Sequence, residues 1–255
     1  MPTDPLVLLL KSFNLTTAAG IYDDALHLAE KENWGYRRFL QYLCEHECQA
    51  RHDRKTRRLL SSSRLPAGKT LASLDEKLLP EKCRRMLPTL LDGSFVDRAE
   101  NILAFGLPGR GKSHFLAALA HELILRHQYE ILFIPTFRLV QELLAARQRM
   151  ALDRQLQKYN RFDVVIIDDI GYVQQNRDEM EVLFTFLAER YERKSVMISS
   201  NLVFSEWDRI FKDPMTTMAA IDRLVHHSVI LEFNNNSIRE MYARKMKALS
   251  KEDDD

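Results

Sequence analysis

The sequence predicts an α/β protein with a five-stranded parallel sheet, preceded by a small all-α region. Three observations carry this reading. From Asn101 onward, short apolar runs alternate with amphipathic helical stretches, as in a sheet linked by crossover helices. The runs are continuously apolar and β-branched, the mark of strands buried on both faces. The first 60 or so residues instead show only helical spacing of apolar side chains.

Taken in order, Leu6, Leu9, Leu10 and Phe13, then Ala18, Ile21, Tyr22, Leu26 and Leu28, recur near a helical period, and Phe39, Leu40, Tyr42 and Leu43 continue it. Residues 51–69 then hold seven Lys/Arg against the single acid Asp53. This run reads either as a solvated helix end entering a linker or as a phosphate-binding patch that includes Arg54, Arg57 and Arg58. Ser61, Ser62, Ser63, Pro66 and Gly68 mark the linker. The expected organisation is a helical N-terminal domain over 1–65, a linker and connecting region over 66–100, and an α/β domain over 101–255. In the last, strands are expected at 102–105, 131–135, 164–168, 196–200 and 228–233. Helices are expected over His114 to Arg126, Arg138 to Lys158 in one or two pieces, Met180 to Arg193, and around 205–211, 216–226 and 237–249.

Composition narrows the function. With 255 residues and 45% hydrophobic side chains the chain buries a real core. Lys+Arg total 37 against 36 Asp+Glu, which excludes a globally basic nucleic-acid binder but not a local basic surface. Three cysteines, an odd and low count, argue against a disulfide scaffold, and Cys44, Cys48 and His46 offer too few ligands for a metal site. The early apolar run Pro5 to Leu10 falls short of the ~20 residues a membrane span needs. It follows Asp4 with no basic segment before it, so no export signal is expected and the cytoplasm is.

The strongest motif is Gly106-Leu107-Pro108-Gly109-Arg110-Gly111-Lys112-Ser113, which fits the phosphate-binding loop G-x-x-x-x-G-K-[ST] between a strand and a helix. Glycines let the backbone wrap a triphosphate with its N–H groups turned inward, and the helix N-terminus that continues into His114 adds favourable partial charge. Lys112 would reach the β- and γ-phosphates of ATP, and Ser113 would ligate Mg²⁺.

The strand VVIID ends in Asp168, followed by Asp169. Carboxylates there lie at the C-terminal sheet edge, where ligands bind in such folds. Asp168 fits the Mg²⁺-associated acid and Asp169 a base that polarises the attacking water. Asn201, after the strand VMISS, fits either a water-holding side chain or a turn former. Arg223, in AAIDRLVHH, fits either a surface helix arginine or a finger offered to a neighbouring subunit. The helical insert before the acidic strand carries Arg138, Arg147, Arg149, Arg154, Lys158 and Arg161 against Glu142 and Asp153, which reads as a solvated face or a row of phosphate contacts.

The phosphate loop, the Asp168–Asp169 pair, SSNLVFSEW (199–207) and AAIDRLVHH (219–227) together resemble the IstB/DnaC group of AAA+ ATPases. SFNLTTAAGIYDDALHLAEKENWGYRRFLQYL, the basic run and LPAGKTLASLD (65–75) resemble its IstB branch, helper ATPases of bacterial insertion sequences. The resemblance covers nearly the whole chain. It implies an AAA+ core behind the N-terminal domain, with Asn201 as sensor one, Arg223 as an arginine finger across a subunit interface and Arg239 in the sensor-two place. It also implies an ATP-dependent homo-oligomer on duplex DNA that works with a DDE-type transposase in target-site selection. The basic insert would face DNA, and the N-terminal domain the transposase, DNA or both. A helicase loader of the DnaC kind shares the same core and is the alternative. The chain departs from the family in having Ser113 for the usual Thr, Arg110 for a small residue, and NNNSIRE where a Gly and an aromatic usually precede the arginine.

Overall fold

The computed structural model describes residues 4–172, 177–202, 206, 224, 227–234 and 237. The chain divides into two units, Met1–Arg58 and Leu59–Asp255.

The first unit is helical: α1 (Pro5–Ser12), α2 (Thr16–Lys31) and most of α3 (Tyr36–Ser62). Ala18, Ala25 and Leu43 form its small core, with Leu15, Ile21, Tyr22, Phe39 and Tyr42 packed around them. Helix α2 starts on Leu15, which has no capping side chain. The cap comes from α3 instead. Buried Glu47 accepts the N–H groups of Thr17 at 2.7 Å and Ala18 at 3.0 Å, satisfying donors that the first turn leaves open. Arg51 and Arg54 close on the same carboxylate at 3.0 and 3.1 Å. Burial alone would raise the Glu47 pKa, but the Ala18 and Thr17 N–H groups and Arg51 outweigh it and hold the carboxyl below its usual range.

The second unit is a parallel five-stranded sheet, β1 (Asn101–Phe105), β2 (Ile131–Pro135), β3 (Val164–Asp168), β4 (Ser195–Ser200) and β5 (Ser228–Glu232), in the order β2-β3-β4-β1-β5. Alternation along each strand sends side chains to two covered faces. Ile102, Ala104, Phe133, Ile166 and Met197 pack under α6 (Lys112–His127) and α4 (Glu81–Leu91). Leu103, Phe105, Ile134, Ile167 and Ile198 pack under α7 (Thr136–Gln148), α8 (Leu152–Asn160) and α9 (Arg177–Arg190). The buried side chains of α6 include Phe115, Leu116, Leu119, Leu123 and Ile124, all 0% exposed. Truncating one of these leucines would cost about 2–5 kcal/mol.

Residues 66–100, read from the sequence as a linker and connecting region, are built into this unit. They form 3-10 turns at Leu71–Ser73 and Glu76–Leu78, then α4 and the short α5 (Ser94–Asp97). Leu74, Leu79, Cys83, Leu87, Leu90 and Phe95 are buried in the same cluster as α6. Helix α3 also runs to Ser62, past the first serines of the expected break, and the Ser63 carbonyl accepts the Phe133 N–H at 2.7 Å. The Gly and Pro content of this stretch signals turns, but its leucine spacing carries the packing. The insert expected over Arg138 to Lys158 is two helices, parted at 149–151 by Met150 at φ 53°. Helix α9 starts and ends three residues before the expected span. The helices expected around 205–211, 216–226 and 237–249 lie largely outside the described residues.

Arg190, at the end of α9, is 1% exposed. Its guanidinium donates to the carbonyls of Tyr159, Phe162, Asp163 and Ser195 at 2.9–3.2 Å. This one side chain ties the end of α8 to the N-terminal ends of β3 and β4.

Candidate nucleotide-binding site

The C-terminal edge of the sheet gathers the predicted site. Strand β4 lies between β1 and β3, with Phe105 paired to Ser200 and Ile167 to Ile198. The glycine loop leaves β1 and the acids leave β3, so both flank the tip of β4. Two strand spacings of about 4.8 Å separate the β1 and β3 axes by roughly 10 Å.

Gly106 opens the loop at φ 147°. A Cβ there would lie 2.3 Å from the Phe233 carbonyl oxygen, so both the conformation and the close approach demand glycine. Gly111, at φ 96°, is the N-cap of α6. The first N–H groups of α6 have no partner within the helix, and the helix dipole makes this end attractive to anions. Lys112 is 8% exposed, and its ammonium group donates back to the loop carbonyls of Gly106 at 2.5 Å and Leu107 at 3.0 Å. Leu107 and Pro108 form the exposed outer edge of the loop. Arg110, a departure from the family pattern, donates from Nη1 to the Phe233 carbonyl at 3.2 Å. The loop is thereby fastened to the exit of β5.

A pocket of about 220 Å³ opens beside the loop. One wall is Gly109, Arg110, Gly111, Lys112, Ser113 and His114; the other is Lys69, Ser73, Leu74, Asp75 and Leu78. This second wall was missed from sequence. Its only signal was the LPAGKTLASLD string (65–75), to which no site role attached. His114 Nε2 lies 2.9 Å from Ser73 Oγ across the pocket edge. Burial pushes the His114 pKa below its ordinary value, with the Thr70 backbone opposing the shift and Lys69 adding to it.

At the acidic edge, Thr136 Oγ1 donates to the Asp168 carbonyl at 2.9 Å. Asp169 adopts φ 63°, a left-handed conformation that aspartate tolerates. Ser199, 1% exposed on β4, donates to Asp168 Oδ1 at 2.6 Å and accepts the Asp169 N–H at 2.8 Å. Sequence reasoning passed over Ser199, because a serine in a strand carries no pattern of its own. Asn201 follows β4 and lies against Gly171, where a Cβ would come within 1.8 Å of Asn201 Oδ1. That oxygen is buried and meets no hydrogen-bond donor among the described residues. Asn201 therefore stands beside the acid pair, as both alternatives for it allowed. Arg223 and Arg239 lie outside the described residues.

The residues fit a nucleotide triphosphate with its cation. The loop is a glycine cradle that a Cβ would fill at Gly106, with a lysine at its base. Ser113 and Asp168 are hard oxygen donors of the kind Mg²⁺ takes alongside phosphate oxygens.

The basic candidates separate. Arg149, Arg154 and Lys158 line a groove between α7 and α8 with Glu142 and Gln155. Glu142 is occupied by Arg138 at 3.0 Å and the Tyr159 hydroxyl at 2.7 Å. Arg147 instead pairs with Glu181 at 3.1 Å and Asp178 at 3.5 Å on α9. In the first unit Arg54 is engaged by Glu47 and the Thr16 and Thr17 hydroxyls. Arg57 donates to the Asp53 carbonyl at 3.4 Å, and Arg58 is exposed.

A parallel sheet in this order, with the glycine loop after β1 and the acid pair after β3, defines a P-loop protein of the AAA+ class, and solved members share the fold. A crystal structure of DnaI matches with TM-score 0.56 at 18% identity, over 67% of this chain and 95% of that one. AMPPCP-bound DnaA from Aquifex aeolicus matches with TM-score 0.56 at 16% identity, over 72% of this chain and 56% of that one. Within that class the chain belongs to the family described as IstB-like ATP binding protein, which matches residues 8–247. It is 39% identical over 241 residues to an insertion sequence ATP-binding protein of Sinorhizobium fredii, across 94% of this chain and 80% of that one. It is 36% identical over 229 residues to the IS21 insertion sequence ATP-binding protein of Pseudomonas aeruginosa, across 90% and 86%.

Proposed function

We propose that this protein is an ATP-hydrolysing, duplex-DNA-binding helper that assists a DDE-type transposase in choosing the target site of an insertion sequence. The observation that supports it most is the gathering of Lys112, the Asp168–Asp169 pair and Asn201 on one sheet edge, in a chain of the IstB-like family. The helical N-terminal domain, 1–65, is the proposed contact to transposase or DNA, and the ATPase domain is 101–255 with 66–100 as its entry. Among the described residues no helix is long and apolar enough to cross a membrane.

In this reading the N–H groups of the loop and of the α6 N-terminus bind the phosphates. Lys112 turns its ammonium from the Gly106 and Leu107 carbonyls to the β- and γ-phosphates. Ser113 and Asp168 would hold Mg²⁺, which when bound neutralises charge on the phosphate oxygens. Ser199 holds the Asp168 carboxylate in place by donating to it. Asp169 polarises the attacking water and receives its proton, and Asn201 Oδ1 accepts a hydrogen from the same water. Arg223 of a neighbouring copy completes the site in a homo-oligomer, which places each ATP at a subunit interface. Arg239 is the sensor-two candidate. Arg149, Arg154 and Lys158 take backbone phosphates of duplex DNA, with Arg57 and Arg58 a second contact. Arg147 and Arg54, each paired with a carboxylate of this chain, serve as braces rather than direct phosphate contacts.

The test is phosphate release from ATP with and without duplex DNA, beside capture of the cognate transposase or of a replicative helicase on the immobilised protein. Turnover that DNA stimulates and Lys112→Ala abolishes, with transposase captured, supports the proposal. Capture of helicase alone would move the function to a loader. Absence of turnover in every condition would remove the enzyme.

A further inference from the structure

The wall of the pocket opposite the phosphate loop is a strap, residues 68–78, held by two kinds of contact. Leu74 is buried and Leu71 partly so against the core below α6. The polar contact is Ser73 with His114, which is the third residue of α6 and directly follows Ser113. Ser73 Oγ sits 2.6 Å from the Gly68 carbonyl and 2.9 Å from the Thr70 carbonyl, and accepts the Thr70 N–H at 3.0 Å. A hydroxyl has one hydrogen and two lone pairs. With its hydrogen on Gly68 and one lone pair on Thr70 N–H, Ser73 has one lone pair left for a donor. His114 Nε2–H meets it at 2.9 Å. Lys69, Leu74, Asp75 and Leu78 of that strap face the pocket.

We propose that His114 is a positioning residue that latches the strap to the phosphate-binding helix through Ser73, and thereby sets how tightly the site holds the base and ribose of a nucleotide. The proposal rests on the nucleotide reading of the pocket. The strap supplies the surface away from the phosphates: apolar Leu74 and Leu78 for a base, and Asp75 and Lys69 for polar groups. Without the latch that surface keeps its leucine packing but loses its tie to α6, and a nucleotide must order it on binding. The phosphate end of the site does not depend on the strap.

The experiment compares wild-type full-length chain with His114→Leu, His114→Gln and Ser73→Ala. Hydrogen exchange is followed in the nucleotide-free proteins, and affinity is measured with a fluorescent ATP analogue and with inorganic pyrophosphate. Exchange at 68–78 is expected to rise in His114→Leu and Ser73→Ala, with β1 and the rest of α6 unchanged, and to return toward wild type in His114→Gln, which keeps an N–H donor. Affinity for the ATP analogue should fall about three- to tenfold in the first two variants, the size of one lost hydrogen bond, while pyrophosphate affinity holds. Unchanged exchange at 68–78 in both variants would overturn the latch. Raised exchange with unchanged ATP affinity would overturn its role in binding, and equal losses for ATP and pyrophosphate would make His114 a phosphate-site residue instead. If wild type binds no nucleotide, the nucleotide reading fails and this role in binding falls with it, while exchange still decides whether the latch exists.

Discussion

Ser199 Oγ bridges the two acids of the sheet edge, donating to Asp168 Oδ1 at 2.6 Å and accepting the Asp169 backbone N–H at 2.8 Å. Strand β3 ends at Asp168 and Asp169 turns off it at φ 63°, so the backbone of the pair needs a tie to stay at one site. The side chain of β4 provides it. Ser199→Ala is expected to lower turnover about tenfold or more and to raise the Mg²⁺ concentration needed for half activity. ATP binding measured without Mg²⁺ should change little. A kinetic titration of Mg²⁺ checks this, and an unchanged profile would count against the role of Ser199.

Gly171→Ala tests the place of Asn201. The new Cβ would fall 1.8 Å from Asn201 Oδ1, so the Asn201 side chain must move. Displacing a water-positioning group by about 1 Å costs on the order of 100-fold in rate. Turnover should drop by that order with nucleotide affinity retained, as Asn201→Ala should also show. Loss of affinity in both would indicate a binding role instead.

The basic insert divides into a groove and a brace, and DNA binding should divide with it. Charge reversal of Arg149, Arg154 and Lys158 is expected to weaken duplex binding and reduce the salt slope by about 2–3, one phosphate contact each. Arg147→Ala removes partially exposed pairs with Glu181 and Asp178. It should leave the slope intact and cost less than about 1 kcal/mol of stability. Affinity against salt for the two variants settles the assignment.

Glu47 makes the first unit acid-sensitive. Its folded pKa lies below the unfolded value of 4.5, so the folded state binds the proton less readily than the unfolded chain. The stabilisation is therefore fully present above about pH 4.5 and is lost as pH falls through the folded value. Glu47→Gln should cost about 1–2 kcal/mol at neutral pH, the scale of a lost helix cap. It should also flatten the acid limb of the unfolding curve of the N-terminal helices, followed by circular dichroism.

Much of the candidate site was legible in the sequence as local pattern, because its demands are local. A glycine loop between strand and helix, and acids ending an apolar strand, each declare themselves within eight residues. The contacts that join these pieces were not legible. Ser199 reaches Asp168 and Asp169 from a strand 31 and 30 residues on, and Ser73 reaches His114 across 41. Neither serine belongs to a pattern. The packing of 66–100 was hidden for a related reason: its glycines and prolines signal breaks, while the burial of Leu74, Leu79, Cys83 and Leu87 depends on a sheet formed later in the chain. Arg54 and Arg147 look like phosphate ligands in a charge count, which does not reveal that Arg54 also meets Glu47, Thr16 and Thr17, or that Arg147 meets Glu181 on α9.

The central claim is that ATP at the Lys112 loop drives assembly on DNA. Light scattering of the purified full-length chain tests it most directly, with and without duplex DNA and ATP, beside Lys112→Ala. Growth to one defined large assembly is expected only when both ligands are present, and is lost in the variant. A monomer under every condition, or the same assembly without nucleotide, would contradict it.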